Sequence, residues 1–276
     1  MQLCSFKIKA TGHHSFGILR ENGVTDAAKY TDYADLKAVL MAQAVDELKV
    51  LSDYPADYSL DEISFLPVIE SPGKILCVGM NYSEKRKEFG ETNPAPTLFI
   101  RFADTLSAHQ TPLQKPASSE QFDYEGELAV IIGKPAHQVS AEDALQYVAG
   151  YSCFMDATVR DMQFTWFTAG KNWPQTGGFG PSMTTSDEIP DPQQLDIRTF
   201  LNGQQVQQDS TANMIHTVAN IIAYVTCFTP LAPGDVIITG SPGGVGKSRT
   251  PQLFMFPGDN ISVEISQIGK LSHMIA

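Results

Sequence analysis

Near its middle the chain reads Asp123-Tyr124-Glu125-Gly126-Glu127-Leu128-Ala129-Val130-Ile131-Ile132-Gly133. The apolar, β-branched run that ends at Gly133 predicts a buried strand. Residues two apart on a strand point to the same face, so Glu125 and Glu127 are predicted to project together. Two carboxylates that lose their hydration repel each other, and a divalent cation between them would offset that cost. Two solvated acids at an exposed strand end explain the spacing equally well, so the pair alone leaves both interpretations open.

Length and composition describe a globular protein with room for a large core. The 276 residues suit one large domain or a main domain with a smaller one, and 42% of them are hydrophobic. The formal net charge of -12 argues against nucleic acid as a partner, because phosphate binding needs a basic surface. The sequence shows neither a signal peptide nor an apolar run of membrane-spanning length, which predicts a cytoplasmic protein without membrane contact.

The four cysteines are widely separated and lie in apolar or strand-like contexts. They are Cys4, Cys77, Cys153 and Cys227. Since they form no CxxC pair, we expect reduced thiols in the core, as is usual for a cytoplasmic protein.

Turn signals divide the chain near residue 70. Residues 3–9 and 15–19 predict short strands, with a turn at Glu21-Asn22-Gly23 that closes a hairpin. An amphipathic helix is predicted over about residues 34–52, and a Ser-Pro-Gly turn follows at residues 71–73. We predict a small N-terminal α+β domain over residues 1–70 and a second domain over residues 71–276. Strands outnumber helices in the prediction, so the expected fold class is α+β with β structure dominant.

Three further segments carry polar residues in patterns that suggest a site. Residues 80–88 are charged and predict a short helix or a mobile lid. Asp156, Arg160 and Gln163 fall at i, i+4 and i+7 of a predicted short helix, where they would share one face. A surface ion pair or a solvated helix face would give the same pattern. Residues 170–181 are rich in glycine and predict a loop.

One segment resembles a phosphate loop but departs from its pattern. Residues 241–248, Ser-Pro-Gly-Gly-Val-Gly-Lys-Ser, come within one residue of the phosphate loop GxxxxGK[ST]. Ser241 stands where the first glycine is required, and Pro251 disfavours the helix that should follow. We therefore predict that the chain does not bind nucleotides.

Several motifs in the same order resemble the fumarylacetoacetate hydrolase family. They are residues 74–82, 123–133, 150–163 and 231–246. The likeness runs from about residue 70 to residue 276, and residues 3–6 and 15–19 look like the small N-terminal domain of bacterial members. The resemblance implies a mixed β-roll catalytic domain that usually pairs into homodimers.

The resemblance also implies a divalent metal held by Glu125, Glu127 and Asp156. The expected ion is Mg²⁺ or Mn²⁺, with Ca²⁺ as a further occupant. Three carboxylates form a hard, all-oxygen site of the kind that these ions prefer. Asp156 thereby supplies the third ligand that the glutamate pair lacks.

Members of this family act on 2-oxo acids and acylpyruvates, so a small anionic substrate of this class is implied. Its carboxylate and 2-oxo oxygen would chelate the metal, a Lewis acid that stabilises the enolate left when a C–C bond breaks. Lys171 matches the family lysine that offsets this charge. Arg160 and Gln163 match polar residues that line the substrate site, and Tyr82 is placed with them. Ser241 lies in the family's Thr-Gly-Thr-Pro turn, which binds a substrate oxygen.

The lid departs from the family pattern Asn-Tyr-x-x-His-x-x-Glu, whose His and Glu activate the hydrolytic water. Here Glu88 is present, but Lys85 takes the place of the His. Both are candidates for a catalytic role, although a lysine is a poor base at neutral pH unless burial or neighbouring cations lower its pKa. On an open lid, solvent would screen such cations. Residues 85–87 could equally form a solvated face or a cationic lure for an anionic substrate.

The sequence thus predicts a divalent-metal-dependent enzyme of 2-oxo acid or acylpyruvate chemistry, with hydrolytic C–C cleavage as the family default. Because the water-activating His is missing, non-hydrolytic steps through an enolate stay open: oxaloacetate decarboxylation, tautomerisation or isomerisation, dehydration, or a lyase step. A catalytically weak scaffold that keeps the metal site is the alternative from a different class.

Overall fold

The computed structural model describes residues 1–164 and 166–276. These residues form seventeen strands and four α-helices. The strands are β1 (Gln2–Ile8), β2 (His14–Arg20), β3 (Gly23–Asp26), β4 (Ile63–Phe65), β5 (Ile75–Gly79), β6 (Thr97–Ile100), β7 (Leu106–Ala108), β8 (Phe122–Asp123), β9 (Gly126–Ile132), β10 (Val148–Asp156), β11 (Thr158–Val159), β12 (Gly177–Thr185), β13 (Asp196–Leu201), β14 (Gln204–Ser210), β15 (Val236–Ile238), β16 (Asn260–Ile265) and β17 (Gly269–Met274). The α-helices are α1 (Leu36–Met41), α2 (Ser83–Phe89), α3 (Thr168–Lys171) and α4 (Val218–Phe228).

Short 3-10 helices connect many of these elements. They are Ala27–Lys29, Val45–Asp53, Leu60–Glu62, Ala103–Thr105, Ala144–Tyr147, Arg160–Met162, Ser186–Glu188, Thr211–Asn213 and Gly246–Ser248. The last of these forms the end of the phosphate-loop-like segment and contains only three residues, so that segment does not open a long helix.

Most strands join one mixed sheet of eleven strands. Its main path runs β3-β2-β1-β12-β10-β9-β15-β5-β6, with β4 added to β1 and β7 added to β12. The sheet is mixed because β15 runs parallel to β5 but antiparallel to β9. A four-stranded sheet, β14-β13-β16-β17, and the short β11–β8 pair are the other sheets of the described residues. The predicted α+β class with dominant β structure is confirmed.

Strand β9 lies at the centre of the fold, and both of its faces are buried. Leu128, Val130 and Ile132 belong to an apolar cluster shared with α4 and the four-stranded sheet. Ala129 and Ile131 alternate with them and belong to a second cluster, which contains residues of β1, β2 and α1. This division follows from the two-residue period of a strand. Glu125, directly before β9, and Glu127, its second residue, are therefore anchored by a strand packed between two cores.

The N-terminal strands extend the same sheet as the rest of the chain, since β1 pairs with β12. The division into two domains at residue 70 stays a prediction. The single helix predicted over residues 34–52 is wrong, because α1 ends at Met41 and a 3-10 helix follows from Val45 to Asp53. Gln43 adopts a φ of 56° between the two, and this left-handed conformation ends an α-helix.

Three of the four cysteines fit the expectation of core thiols. Cys4, Cys77 and Cys153 are buried, whereas Cys227 is exposed near the end of α4. The prediction is therefore wrong for Cys227. Among the residues that the structure describes, every helix is too short or too polar to cross a lipid bilayer.

Candidate active site

Three carboxylates meet at one end of the β9–β10 pair. β9 begins directly after Glu125, and β10 ends at Asp156. The antiparallel ladder joins the two strands, and the backbone N–H of Asp156 donates to the carbonyl of Glu125 over 2.8 Å. Glu125, Glu127 and Asp156, the acidic triad, each offer a carboxylate oxygen within 4.8 Å of the others. All three side chains are buried.

The two glutamates project together, as their spacing predicts, although Glu125 lies one residue before the start of β9. Their burial excludes the interpretation as solvated acids at an exposed strand end. Gly126 separates them, and a Cβ atom there would collide with Oγ1 of Thr199. Any larger residue between the two carboxylates would therefore force the side chain of Thr199 to shift.

Lys171 bridges two members of the acidic triad. It ends α3, and its buried Nζ contacts Oε2 of Glu125 and Oδ2 of Asp156. Burial alone would lower the pKa of Lys171, but the charges of Asp156 and Glu125 raise it above its ordinary value. The predicted loop over residues 170–181 is wrong, since α3 ends at Lys171 and β12 begins at Gly177.

Lys85 reaches the acidic triad from α2. Its Nζ lies 2.7 Å from Oε1 of Glu125 and 3.2 Å from Oγ of Ser241. The side chain is only 3% exposed, and burial lowers the pKa of Lys85 although the charge of Glu125 opposes this. The alternative that Lys85 belongs to a solvated face is therefore wrong. The helix turns Lys85 inward and leaves Lys87 exposed.

Arg160 links the acidic triad to Gln163. Its Nη2 lies 2.7 Å from Oε1 of Glu125, and its Nη1 donates to Oε1 of Gln163 over 2.8 Å. Its Nε forms a third bond, 2.8 Å long, to Oδ2 of the buried Asp123. The predicted helix face is wrong, because Asp156 ends a strand and Arg160 begins a 3-10 turn. The backbone between them stays extended because β11 pairs with β8.

Glu88 lies at the protein surface, and Tyr82 lies in the apolar core. Glu88 is exposed on α2, and its Oε1 accepts a 2.6 Å hydrogen bond from the N–H of Gly244. Tyr82 is fully buried in the apolar core, and its hydroxyl has no hydrogen-bond partner within residues 1–164 and 166–276. Ser241, by contrast, meets the ammonium of Lys85. The predicted roles of these residues stay predictions.

Two groups at the acidic triad were missed by the sequence argument. Arg101 follows β6 and buries its guanidinium against Oδ1 of Asp156. The backbone N–H of Gly240 donates to Oε2 of Glu127 over 2.6 Å. A lone cation directly after an apolar strand is a signal that could have found Arg101. A backbone donor leaves no such signal in the sequence.

The two glutamates lie in opposite electrostatic environments. Burial alone would raise the pKa of Glu125, but Arg160, Lys171 and Lys85 hold it well below its ordinary value. Burial also raises the pKa of Glu127, and the neighbouring carboxylates raise it further, well above its ordinary value. A divalent cation beside Glu127 would offset this repulsion. The buried oxygen ligands therefore fit a hard metal ion.

Sequence comparison relates the chain to a known group of proteins. The family described as "Fumarylacetoacetate (FAA) hydrolase C-terminal" matches residues 74–276. A relative from Xenopus laevis, named as a mitochondrial oxaloacetate tautomerase, is 37% identical over 224 residues. That alignment covers 79% of this chain and 70% of the relative.

Comparison of folds gives the same group. The structure of a fumarylacetoacetate hydrolase from Exiguobacterium antarcticum matches with a TM-score of 0.84 and 31% identity, over 100% of this chain and 99% of that one. A maleylpyruvate hydrolase from Sphingobium sp. SYK-6, solved with manganese(II) and pyruvate, matches with a TM-score of 0.84 and 25% identity. That alignment covers 100% of this chain and 99% of the maleylpyruvate hydrolase.

Proposed function

Because the chain belongs to the fumarylacetoacetate hydrolase family, we propose that it is a divalent-metal-dependent enzyme that interconverts the enol and keto forms of a 2-oxo acid. Members of this family are enzymes that act on oxo acids, with tautomerase, isomerase and hydrolase among their names. Oxaloacetate is the substrate that we propose first, since the relative from Xenopus laevis is named for its tautomerisation.

The acidic triad is the proposed metal site. Its three buried carboxylates match the oxygen ligands that Mg²⁺ and Mn²⁺ prefer, and we expect Mg²⁺ as the working ion. The bound ion would supply Lewis-acid chemistry, drawing electron density from the 2-oxo group of the substrate.

Arg160, Gln163 and Ser241 are the proposed substrate anchors. The guanidinium of Arg160 is held by Asp123 and Glu125, so its donors point in fixed directions. A guanidinium binds a carboxylate through two parallel hydrogen bonds, which suits the acid group of a 2-oxo acid. Gln163 extends this surface through its bond to Arg160, and Ser241 offers a hydroxyl beside Lys85.

Two ammonium groups supply the remaining chemistry. Lys85 contacts Oε1 of Glu125 and Lys171 contacts Oε2, so the two lysines approach one carboxylate from its two oxygens. We assign to Lys171 the stabilisation of negative charge on the 2-oxo oxygen, because a fixed, buried cation is most effective there. We assign to Lys85 the transfer of a proton between C3 and that oxygen, with Ser241 within hydrogen-bond distance of its Nζ.

The separation of Lys85 from Glu88 is the observation that favours tautomerisation over hydrolysis. Hydrolysis needs a general base and a partner residue that together activate a water molecule. Here Lys85 binds Glu125 inside the protein, while Glu88 binds the N–H of Gly244 at the surface. Moving a proton between two atoms of the same substrate requires no activated water.

Hydrolytic C–C cleavage of an acylpyruvate is the second candidate. It is supported by the likeness to the maleylpyruvate hydrolase that was solved with manganese(II) and pyruvate. Lys85 and Glu88 also lie on the same short helix, α2.

One set of assays separates these functions. Purified protein with Mg²⁺ is mixed with oxaloacetate, the enol absorbance is followed, and malate dehydrogenase with NADH reports total oxaloacetate. Faster loss of the enol with total oxaloacetate unchanged supports tautomerisation. Pyruvate formed from oxaloacetate indicates decarboxylation, and pyruvate formed from maleylpyruvate indicates hydrolysis. A protein that binds Mn²⁺ yet accelerates none of these reactions is a scaffold, and that result overturns the proposal.

The homodimer and the cytoplasmic location also stay proposals. Light scattering after size-exclusion chromatography tests the first against the chain mass of 30.1 kDa. Fractionation of the producing cells tests the second.

A further inference from the structure

Arg101 contacts the acidic triad but has no role in the proposed reaction. We propose that Arg101 is a positioning residue that fixes the carboxylate of Asp156 for metal binding, and that Asn172 ties Arg101 to Lys171. This inference rests on the proposed metal site at the acidic triad. It concerns the affinity of that site for its ion, which is measurable without any turnover.

The guanidinium of Arg101 has three partners that surround the end of β10. Its Nε contacts Oδ1 of Asp156, and its Nη2 donates to the carbonyl of Ala157 over 2.6 Å. Its Nη1 lies 3.2 Å from Oγ1 of Thr176, directly before β12. The side chain of Arg101 is fully buried. One planar cation thus fixes both the carboxylate of Asp156 and the backbone that follows it.

The surroundings leave room for this planar group and for little else. A Cβ atom on Gly177 would lie 3.1 Å from Nη1 of Arg101, so glycine clears the space for the guanidinium. The guanidinium carbon also lies 5.9 Å from the ring centre of Phe154. Arg101 is therefore held by shape as well as by hydrogen bonds.

The backbone of Arg101 is fixed from two sides. Its N–H donates to the carbonyl of Ile75 over 3.1 Å, which continues the pairing of β5 with β6. On the other side, Oδ1 of Asn172 accepts from the N–H of Phe102 (2.7 Å), and Nδ2 of Asn172 donates to the carbonyl of Ile100 (3.0 Å). The amide of Asn172 thus takes the place of a neighbouring strand at the edge of β6.

These contacts close a ring around Asp156. Arg101 contacts Oδ1 and Lys171 contacts Oδ2. Asn172 follows Lys171 in the chain and grips the residues on both sides of Arg101. The two cations therefore cannot move apart without breaking the bonds of Asn172. The carboxylate of Asp156 is held in one orientation with Oδ2 on the side of Glu125.

Removal of Arg101 would leave Oδ1 of a fully buried carboxylate without its partner. Groups that orient metal ligands typically contribute 10- to 100-fold to metal affinity or activity. We expect Arg101→Met to weaken Mn²⁺ binding by about tenfold or more. Arg101→Lys should recover part of that loss, because an ammonium can reach one oxygen but cannot span all three partners.

The test is a calorimetric titration of metal-stripped protein with Mn²⁺, together with near-ultraviolet circular dichroism to confirm the fold. Arg198→Met is the matched control, because Arg198 is half exposed and forms a surface ion pair with Asp196. Asn172→Ala is a second and milder variant, because the amide of Asn172 bonds to the backbone groups of Phe102 and Ile100 and not to the triad itself. We expect this variant to bind Mn²⁺ several-fold more weakly. Should Arg101→Met fail to fold, Asn172→Ala decides the question.

Each result has one meaning. Weaker binding in the Arg101 and Asn172 variants, with Arg198→Met unchanged, supports the inference. Unchanged or tighter Mn²⁺ binding in these variants, beside a wild-type protein that binds Mn²⁺, overturns the inference and leaves the proposed function standing. A wild-type protein that binds no Mn²⁺ overturns the metal site, and the inference with it.

Discussion

Lys85 and Glu125 form a buried ion pair in which 2.7 Å separates Nζ from Oε1. The side chains are 3% and 8% exposed, so solvent screens this interaction only weakly. A lysine on a surface lid would contribute a diffuse positive field. Here its charge is fixed at one oxygen of the acidic triad, beside the hydroxyl of Ser241.

Replacement of Lys85 tests whether this ammonium takes part in the reaction. We expect Lys85→Met to lower kcat for oxaloacetate tautomerisation by about 100-fold or more, the usual contribution of a group that transfers a proton. The assay is the loss of enol absorbance under saturating substrate. Lys87→Met is the control, because Lys87 lies on the same helix but is exposed.

The same position tests the second candidate function. A gain of acylpyruvate hydrolysis in Lys85→His would indicate that the native lid lacks a water-activating base. Tautomerase activity that survives Lys85→Met unchanged would remove Lys85 from the mechanism.

Glu127→Gln should have opposite effects on stability and on metal binding. Burial and the neighbouring carboxylates raise the pKa of Glu127, so a neutral amide relieves repulsion. The metal-free variant should therefore unfold at a higher temperature than the wild type. Mn²⁺ binding should weaken by at least tenfold, because one oxygen ligand loses its charge. Thermal unfolding with and without Mn²⁺ measures both effects, and stoichiometric, equally tight binding would contradict the ligand assignment.

Gly240→Ala should destabilise the protein through a collision beside the acidic triad. Gly240 has a φ of +99°, and a Cβ atom would lie 2.8 Å from both Cβ of Asn81 and the carbonyl oxygen of Val78. Gly258 has a φ of +95°, but among the described residues no atom lies within 4 Å of a Cβ placed there, so Gly258→Ala measures the backbone strain alone. Strain of this kind costs about 1–3 kcal/mol. In urea unfolding, Gly240→Ala should lose more stability than Gly258→Ala, and equal losses would show that the collision is relieved by a small shift.

Stability should fall in mild acid because of His273. Burial lowers the pKa of His273 from 6.5 to about 4, although its bond to the carbonyl of Thr111 opposes this. Between these two values the unfolded chain binds more protons than the folded one, so the free energy of unfolding decreases as the pH falls from 6.5 towards 4. The contribution is about 3 kcal/mol at the acid end.

A comparison of urea unfolding at several pH values isolates this residue. His273→Asn removes the titrating ring but can keep an N–H donor for Thr111. Its stability should depend less steeply on pH than that of the wild type between pH 4 and 6.5. Identical slopes would show that other groups dominate the acid sensitivity.

Local patterns in the sequence predicted the strands well. The hairpin between β13 and β14 turns at Asn202 and Gly203, both with positive φ, a conformation that an Asn-Gly pair favours. The apolar run of β9 and the convergence of Glu125 with Glu127 also follow from a two-residue period. Such features depend on residues close together in the chain, so the sequence contains the information directly.

Features that depend on distant contacts were not predicted. The inward direction of Lys85 depends on a partner 40 residues away, and the contact of Arg101 with Asp156 spans 55 residues. The periodicity of residues 156–163 indicates a helix by itself, yet pairing of β11 with β8 keeps the backbone extended. In each case tertiary packing overrides the local preference.

The pairing of β1 with β12 has a consequence for the order in which the chain acquires its structure. Leu3 pairs with Met183, so β1 meets this neighbour only after residue 183 has been synthesised. Contacts of such long sequence separation slow folding, and unpaired strand edges expose a nascent chain to aggregation. During translation, β1 lacks its pairing partner β12 until residue 185 leaves the ribosome. We expect the nascent chain to depend most on chaperones before that point.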